Sequence, residues 1–132
     1  MARVLVIDDE PLVRHFLRQC LQIAKHEVIE AADGAEALAE FDRRPTDLVI
    51  TDIVMPNVEG LETVVALRRR SPLLPIIAIS GGGRVDGRHY LRFAERLGAD
   101  RVLKKPFVGK DIVRAVQLSL AGRAAGPVGC QP

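Results

Sequence analysis

Aromatic residues are scarce in this 132-residue chain, only 4% with no tryptophan, and none interleaves with basic residues as a nucleic-acid platform requires. Direct nucleic-acid binding is therefore not expected. Cysteine occurs twice: Cys20 falls within a helical pattern and Cys130 near the C-terminus, with no CxxC pair and no histidine-rich spacing beside either. That excludes a zinc ribbon or disulfide framework and implies reduced thiols in a cytoplasmic protein. His15, His26 and His89 stand at neither metal-ligand nor triad spacing, and read as surface or filler residues. No run approaches the ~18 consecutive apolar residues of a membrane helix, and no signal peptide is recognisable, so membrane insertion is not expected. A net charge of +2 provides no general attraction to polyanions.

What is present is ordinary globular material, 48% hydrophobic and 27% charged, enough for one domain with a sizeable core. Its most informative stretch runs from Leu48 to Gly60. Leu48, Val49 and Ile50 read as a strand buried on both faces, and the strand delivers one carboxylate, Asp52, to a break marked by Pro56 and Gly60. Residues 54–60 are expected to form a loop.

The remaining segments alternate in the same way. Arg3 to Ile7 is a β-branched run ending in Asp8-Asp9-Glu10-Pro11, where proline opens a helix. Val13, Phe16, Leu17, Cys20, Leu21 and Ala24 form that helix's apolar stripe, leaving Arg14 and Arg18 away from it. Either Asp8 or Asp9 is expected to cap the helix as well. Glu27 to Ala31 is a second strand, Asp33-Gly34 a turn, and 35–43 a helix closed by Pro45. After the central strand, a helix beginning near Leu61 ends in Arg68-Arg69-Arg70, where cations suit the negative end of the helix dipole. Pro75 to Ile79 is a fourth strand that leads into Ser80 and three glycines. Tyr90, Leu91, Ala94 and Leu97 mark a helix capped by Gly98, Arg101 to Leu103 a fifth strand, and Gly109 to Leu120 the last helix. A domain over 1–121 and a disordered tail over 122–132 follow from the glycines and prolines after Ala121.

Five strands alternating with five helices predict an α/β fold: a parallel sheet covered on both faces, with right-handed crossovers. The flavodoxin-like doubly wound order 2-1-3-4-5, a three-layer (βα)5 sandwich, sets strands one and three side by side at the switch point, where ligands bind. Asp8, Asp9 and Asp52 would then share one pocket. Close carboxylates stay ionised when a cation joins them, and Mg²⁺ suits oxygen ligands that also meet a phosphate. Aspartate is an established covalent nucleophile for phosphoryl groups. Ser80 and Lys105 lie at strand ends on the same edge, so the constellation points to phosphoryl transfer.

Four motifs in this order, Val-Ile-Asp8-Asp9-Glu10, Asp52-Ile-Val-Met-Pro-Asn-Val-Glu-Gly60, Ile-Ser80-Gly81 and Lys104-Lys105-Pro106-Phe107, resemble those of two-component response-regulator receiver domains. The resemblance covers residues 3 to about 120 and is to the stand-alone, CheY-like single-domain type. It implies that Asp52 accepts a phosphoryl group from a sensor histidine kinase or histidine phosphotransfer protein. It also implies that Asp9, Asp52 and the backbone carbonyl of Val54 bind Mg²⁺ directly and Asp8 through water. Ser80, Gly81 and Lys105 would hold the phosphoryl oxygens.

The implied output is contact with a downstream protein, or a phosphorylation-dependent homodimer, through the surface of the fourth helix, fifth strand and last helix. Arg84, Arg88, Arg92 and Arg96 recur on that fourth helix, by default a solvated face and in this family also a docking surface. Two departures stand out. Val102 occupies the place, three residues before Lys105, where many members carry a switch aromatic, and Ser80 is followed by Gly81-Gly82-Gly83.

The expected protein is a switch rather than a turnover enzyme. A haloacid-dehalogenase-like phosphatase would need a second Asp two residues after Asp52, and that position is Val54. A phosphate-independent binding module on the same fold is the other alternative.

Overall fold

The computed structural model describes residues 2–52, 59–80, 99–104 and 107–129. Five strands, β1 (Arg3–Ile7), β2 (Glu27–Ala31), β3 (Leu48–Asp52), β4 (Ile76–Ser80) and β5 (Arg101–Lys104), form one parallel sheet in the order β2-β1-β3-β4-β5. The expected doubly wound order is thus the observed one. The helices are α1 (Pro11–Ile23), α2 (Gly34–Arg43), α3 (Glu59–Arg70) and a C-terminal helix, Gly109–Gly129. The helix expected around Tyr90 to Leu97 lies outside the described residues. Among the described residues, no helix is long and apolar enough to cross a membrane.

Alternation along each strand divides the core in two. Val4, Val6, Val28, Leu48, Ile50, Ile77 and Ile79 face Leu17 and Leu21 of α1 and Ile112, Ala115 and Val116 of the C-terminal helix. Leu5, Ile7, Ala31, Val49 and Ile76 face Ala37 and Phe41 of α2 and Val64 and Leu67 of α3. A strand with apolar residues on both sides can only be satisfied between two helix layers, which is why β3 is buried at every position.

Local chemistry sets the helix ends. Asp33 caps α2, its Oδ1 accepting the Glu36 N–H at 2.8 Å, while Glu36 reaches back to the Ala32 N–H at 3.4 Å. Neither Asp8 nor Asp9 is the cap of α1: that position belongs to Glu10, ahead of Pro11, because Asp8 is still bonded to the sheet edge. At the other end of α1 the Lys25 N–H reaches the Gln22 carbonyl at 2.9 Å and the His26 N–H the Leu21 carbonyl at 3.0 Å. This Schellman arrangement puts Lys25 at φ 71°, a left-handed conformation that favours glycine. Lys25→Gly is expected to raise stability by about 0.5–1 kcal/mol in urea unfolding; an unchanged midpoint would contradict it.

The arginines ending α3 do more than meet a helix dipole. Arg68 donates to the Pro72 and Leu74 carbonyls and pairs with Asp100 at 3.0 Å, and Arg70 pairs with Asp42 of α2 at 2.7 Å. At the chain's end the structure departs from the expected tail over 122–132, since the last helix continues past Leu120 to Gly129. Extending a formed helix adds one hydrogen bond per residue, and Ala121, Ala124 and Ala125 are the best helix formers.

Candidate functional site: an acidic cluster at the carboxyl edge of the sheet

Strand register brings the expected acids to one edge. Ile7 of β1 lies opposite Thr51 of β3, so the next residues along the two strands are Asp8 and Asp52. Neighbouring parallel strands are about 4.8 Å apart. By the same alternation, Asp8 follows Val4 and Val6, and Asp52 follows Leu48 and Ile50, on the face that α1 and the C-terminal helix cover. Across β4, Asp52 pairs with Ile79, and Ser80 one step on pairs with Lys104 of β5. Ser80 thus terminates the strand adjoining Asp52. Val54, Gly81, Arg84, Arg88, Arg92, Arg96 and Lys105 lie outside the described residues. Val102 is half-buried on β5, opposite Ala78.

Asp8 is fully buried and Asp52 only 3% exposed, whereas Asp9 is open to solvent. Oxygens of Asp8, Asp9 and Glu10 lie within 4.8 Å of one another. Sequence reading placed Asp8 and Asp9 with Asp52 and treated Glu10 as a helix-start acid; the structure puts Glu10 into the tight group. All the donors are hard oxygens, the set that fits a small divalent cation such as Mg²⁺.

Asp8 is fixed at several atoms. Its N–H donates to the Ala31 carbonyl at 3.1 Å, and its Oδ1 accepts the Glu10 N–H at 2.8 Å. Its backbone carbonyl accepts from Arg14 Nη1 at 2.7 Å. Arg14 was expected on the outer side of α1, yet its side chain is 17% exposed and its Nε donates to Glu30 Oε1 at 3.1 Å. Arg18 donates to the other oxygen of Glu30. The helix periodicity missed both because positions 14 and 18 flank the apolar stripe of α1 on the side where Glu30 of β2 lies within reach. An arginine four residues after another, facing a glutamate on the next strand, was the available signal.

Burial alone would push the Glu30 carboxyl up, but hydrogen bonds and charge from Arg18 and Arg14 outweigh it and hold the group below its ordinary value. A depressed carboxyl stabilises the fold above the unfolded-state value, near 4.5, and that contribution is lost as pH falls through the lower folded value. Urea titrations from neutral to acid pH should show the wild type losing more stability than Glu30→Gln in that window; parallel curves would refute the coupling.

The other singled-out residues lie apart from this edge. His26 Nδ1 accepts the Ala2 N–H at 3.1 Å, at the opposite end of the sheet. Cys20 is half-buried, its thiol pushed up by burial, and a Cβ on Gly109 would come within 2.8 Å of its sulfur. Gly109 therefore lets the C-terminal helix start against α1.

Comparison with known proteins gives a consistent result. The family model for the response regulator receiver domain matches residues 4–117. The probable transcriptional regulator ycf27 of Porphyridium aerugineum is 38% identical over 113 residues, covering 83% of this chain and 44% of that protein. The transcriptional regulatory protein PrrA of Mycobacterium tuberculosis is 37% identical over 123 residues, covering 93% and 52%. The chain spans about half the length of these curated relatives. A receiver domain protein from Clostridium thermocellum superposes with a TM-score of 0.85 at 28% identity, covering 94% of this chain and 98% of that one. The chemotaxis response regulator CheY4 of Vibrio cholerae does so with a TM-score of 0.80 at 33% identity, covering 90% and 98%. With its sheet order, its acidic strand ends and these matches in agreement, the chain belongs to the receiver-domain family of two-component response regulators.

Proposed function

We propose that the protein is a phosphorylation-driven signalling switch whose acceptor is Asp52. The observation that carries this reading is the β1–β3 register, which sets the buried carboxylate of Asp52 one strand away from Asp8 and its acidic neighbours. In the transfer, a carboxylate oxygen of Asp52 attacks the phosphorus of a phosphohistidine on a sensor kinase or phosphotransfer protein. A P–O bond forms, the P–N bond breaks, and the imidazole leaves neutral because its other nitrogen keeps a proton. Asp8, Asp9, Asp52 and the Val54 carbonyl would hold Mg²⁺, which when bound neutralises charge on the transferring group. Ser80 and Gly81 would hydrogen-bond the phosphoryl oxygens and Lys105 would pair with them.

Since the transfer modifies the protein itself, the product is a changed surface rather than a released molecule. The new charge draws the Ser80 end of β4 inward and alters the adjoining surface around β5 for a downstream partner or a second copy. With valine at 102, no ring can rotate there between exposed and buried positions. The curated relatives are transcriptional regulators about twice this length. Any link from this domain to transcription would run through a part other than the receiver that contacts DNA. The domain acts in the cytoplasm, where the kinase's phosphohistidine is formed.

The test is incubation with acetyl phosphate, with and without Mg²⁺, followed by intact mass measurement. Wild type should gain one phosphoryl group only with Mg²⁺, and Asp52→Asn none. No gain under any condition would leave a phosphate-independent binding module as the better reading.

A further inference from the structure

Asp8 and Asp9 sit where the chain leaves β1, a point at which a sheet ladder no longer fixes the backbone. The last ladder bond to β2 is donated by the Asp8 N–H to the Ala31 carbonyl at 3.1 Å, and the next carbonyl outward, that of Asp8, has passed the end of β2. Arg14 replaces the missing ladder. Its Nη1 donates to that carbonyl at 2.7 Å while its Nε is held by Glu30 of β2 at 3.1 Å, so one guanidinium spans the ends of two strands. Arg18 donates to the second oxygen of Glu30 and keeps the anchor turned toward Arg14.

We propose that Arg14 is a positioning residue of the acidic cluster, clamping the Asp8 backbone to β2 so that Asp8 and Asp9 present their oxygens to a divalent cation. This rests on the reading of the cluster as a Mg²⁺ site. The planar guanidinium suits the task because its Nε and Nη1 donors are fixed relative to one another, whereas a lysine ammonium carries rotating donors on one nitrogen at the end of a flexible stem and sets no such geometry. Sign separates this role from a purely electrostatic one. A cation beside a metal site opposes metal binding, so removing its charge would tighten Mg²⁺ binding. Releasing the clamp lets the acidic residues move and weakens it.

Isothermal titration calorimetry with Mg²⁺ on the full chain reads the difference, with far-UV circular dichroism to check the fold. Arg14→Ala is expected to weaken Mg²⁺ binding by about tenfold, within the range for outer residues that orient metal ligands. Arg14→Lys, which keeps the charge and loses the two-point clamp, should weaken it as well, and it covers the case in which the alanine variant does not fold. Arg18→Ala should change it by less than Arg14→Ala, because Arg18 touches only the anchor. Unchanged or tighter binding in folded Arg14→Ala, or full rescue by Arg14→Lys, would overturn the positioning role while leaving the metal site standing. A wild type that takes up no Mg²⁺ would overturn the metal site and the positioning role together.

Discussion

Mg²⁺ at about one hundred times its dissociation constant should stabilise the wild-type protein by about 2.7 kcal/mol, and Asp9→Asn should lose most of that gain. The physical basis is the grouping of Asp8, Asp9 and Glu10, whose oxygens lie within 4.8 Å of one another. Without a cation, their mutual repulsion opposes the fold, and removing one charge relieves it. Asp9→Asn should therefore be more stable than wild type in chelator and less stable than wild type in saturating Mg²⁺. This crossing of the two curves is sharper than either shift, because no simple packing defect produces it. Asp9 is the preferred site for the change, being exposed, so the asparagine meets no steric obstacle. Thermal unfolding in chelator and in a Mg²⁺ series measures it directly. Identical responses of both proteins to Mg²⁺ would remove Asp9 from the ligand set.

Ile50→Ala should cost about 2–5 kcal/mol, the range for truncating a fully buried aliphatic side chain. Ile50 is wholly inaccessible to solvent and stands in the centre strand, in one cluster with Val6, Ile79 and Val116. The cavity would be walled by strands β1 and β4 and the C-terminal helix, elements tied to the sheet that cannot all collapse inward. For a chain of this size each kcal/mol moves the thermal midpoint by about 3–4 °C, so a fall of roughly 6–20 °C is expected. Ile50→Val removes a single methylene and should cost only about 0.5–1.5 kcal/mol. Ile50 also precedes Asp52 by one pleat on the same face, so the alanine variant should take up phosphoryl groups more slowly even where it remains folded. A loss of stability below about 1 kcal/mol for Ile50→Ala would mean that the helix layer moves in to fill the site.

The fold was readable because parallel strands buried on both sides leave an unusual trace. Arg3 to Ile7, Leu48 to Ile50 and Pro75 to Ile79 are β-branched runs without alternation, and only a two-sided helix cover accommodates three of them. Asp8 and Asp52 were readable for the same reason, as the first charges after such runs. Arg14 was not, since its partners belong to different strands and periodicity reports only which face of a helix is apolar. Glu10 was missed because Pro11 beside it already explained an acid at a helix start. Lys25 gave no warning, as left-handed backbone is demanded by the turn and not by the residue that occupies it. The helix beyond Leu120 was hidden by Gly122, Gly126 and Pro127, whose unfavourable propensities were outweighed by continuity with a helix already anchored by Ile112 and Val116.

The strand order also bears on how the chain matures during synthesis. The partner on one side of β1, β2, follows it directly in the chain, but the partner on its other side, β3, is supplied only when residues 48–52 have been made. From β3 onward the spatial order follows the order of synthesis in one direction, β4 and β5 each lying on the edge left by the strand before it. The two acid-bearing strands therefore both precede, in order of synthesis, the segments that carry Ser80 and Lys105.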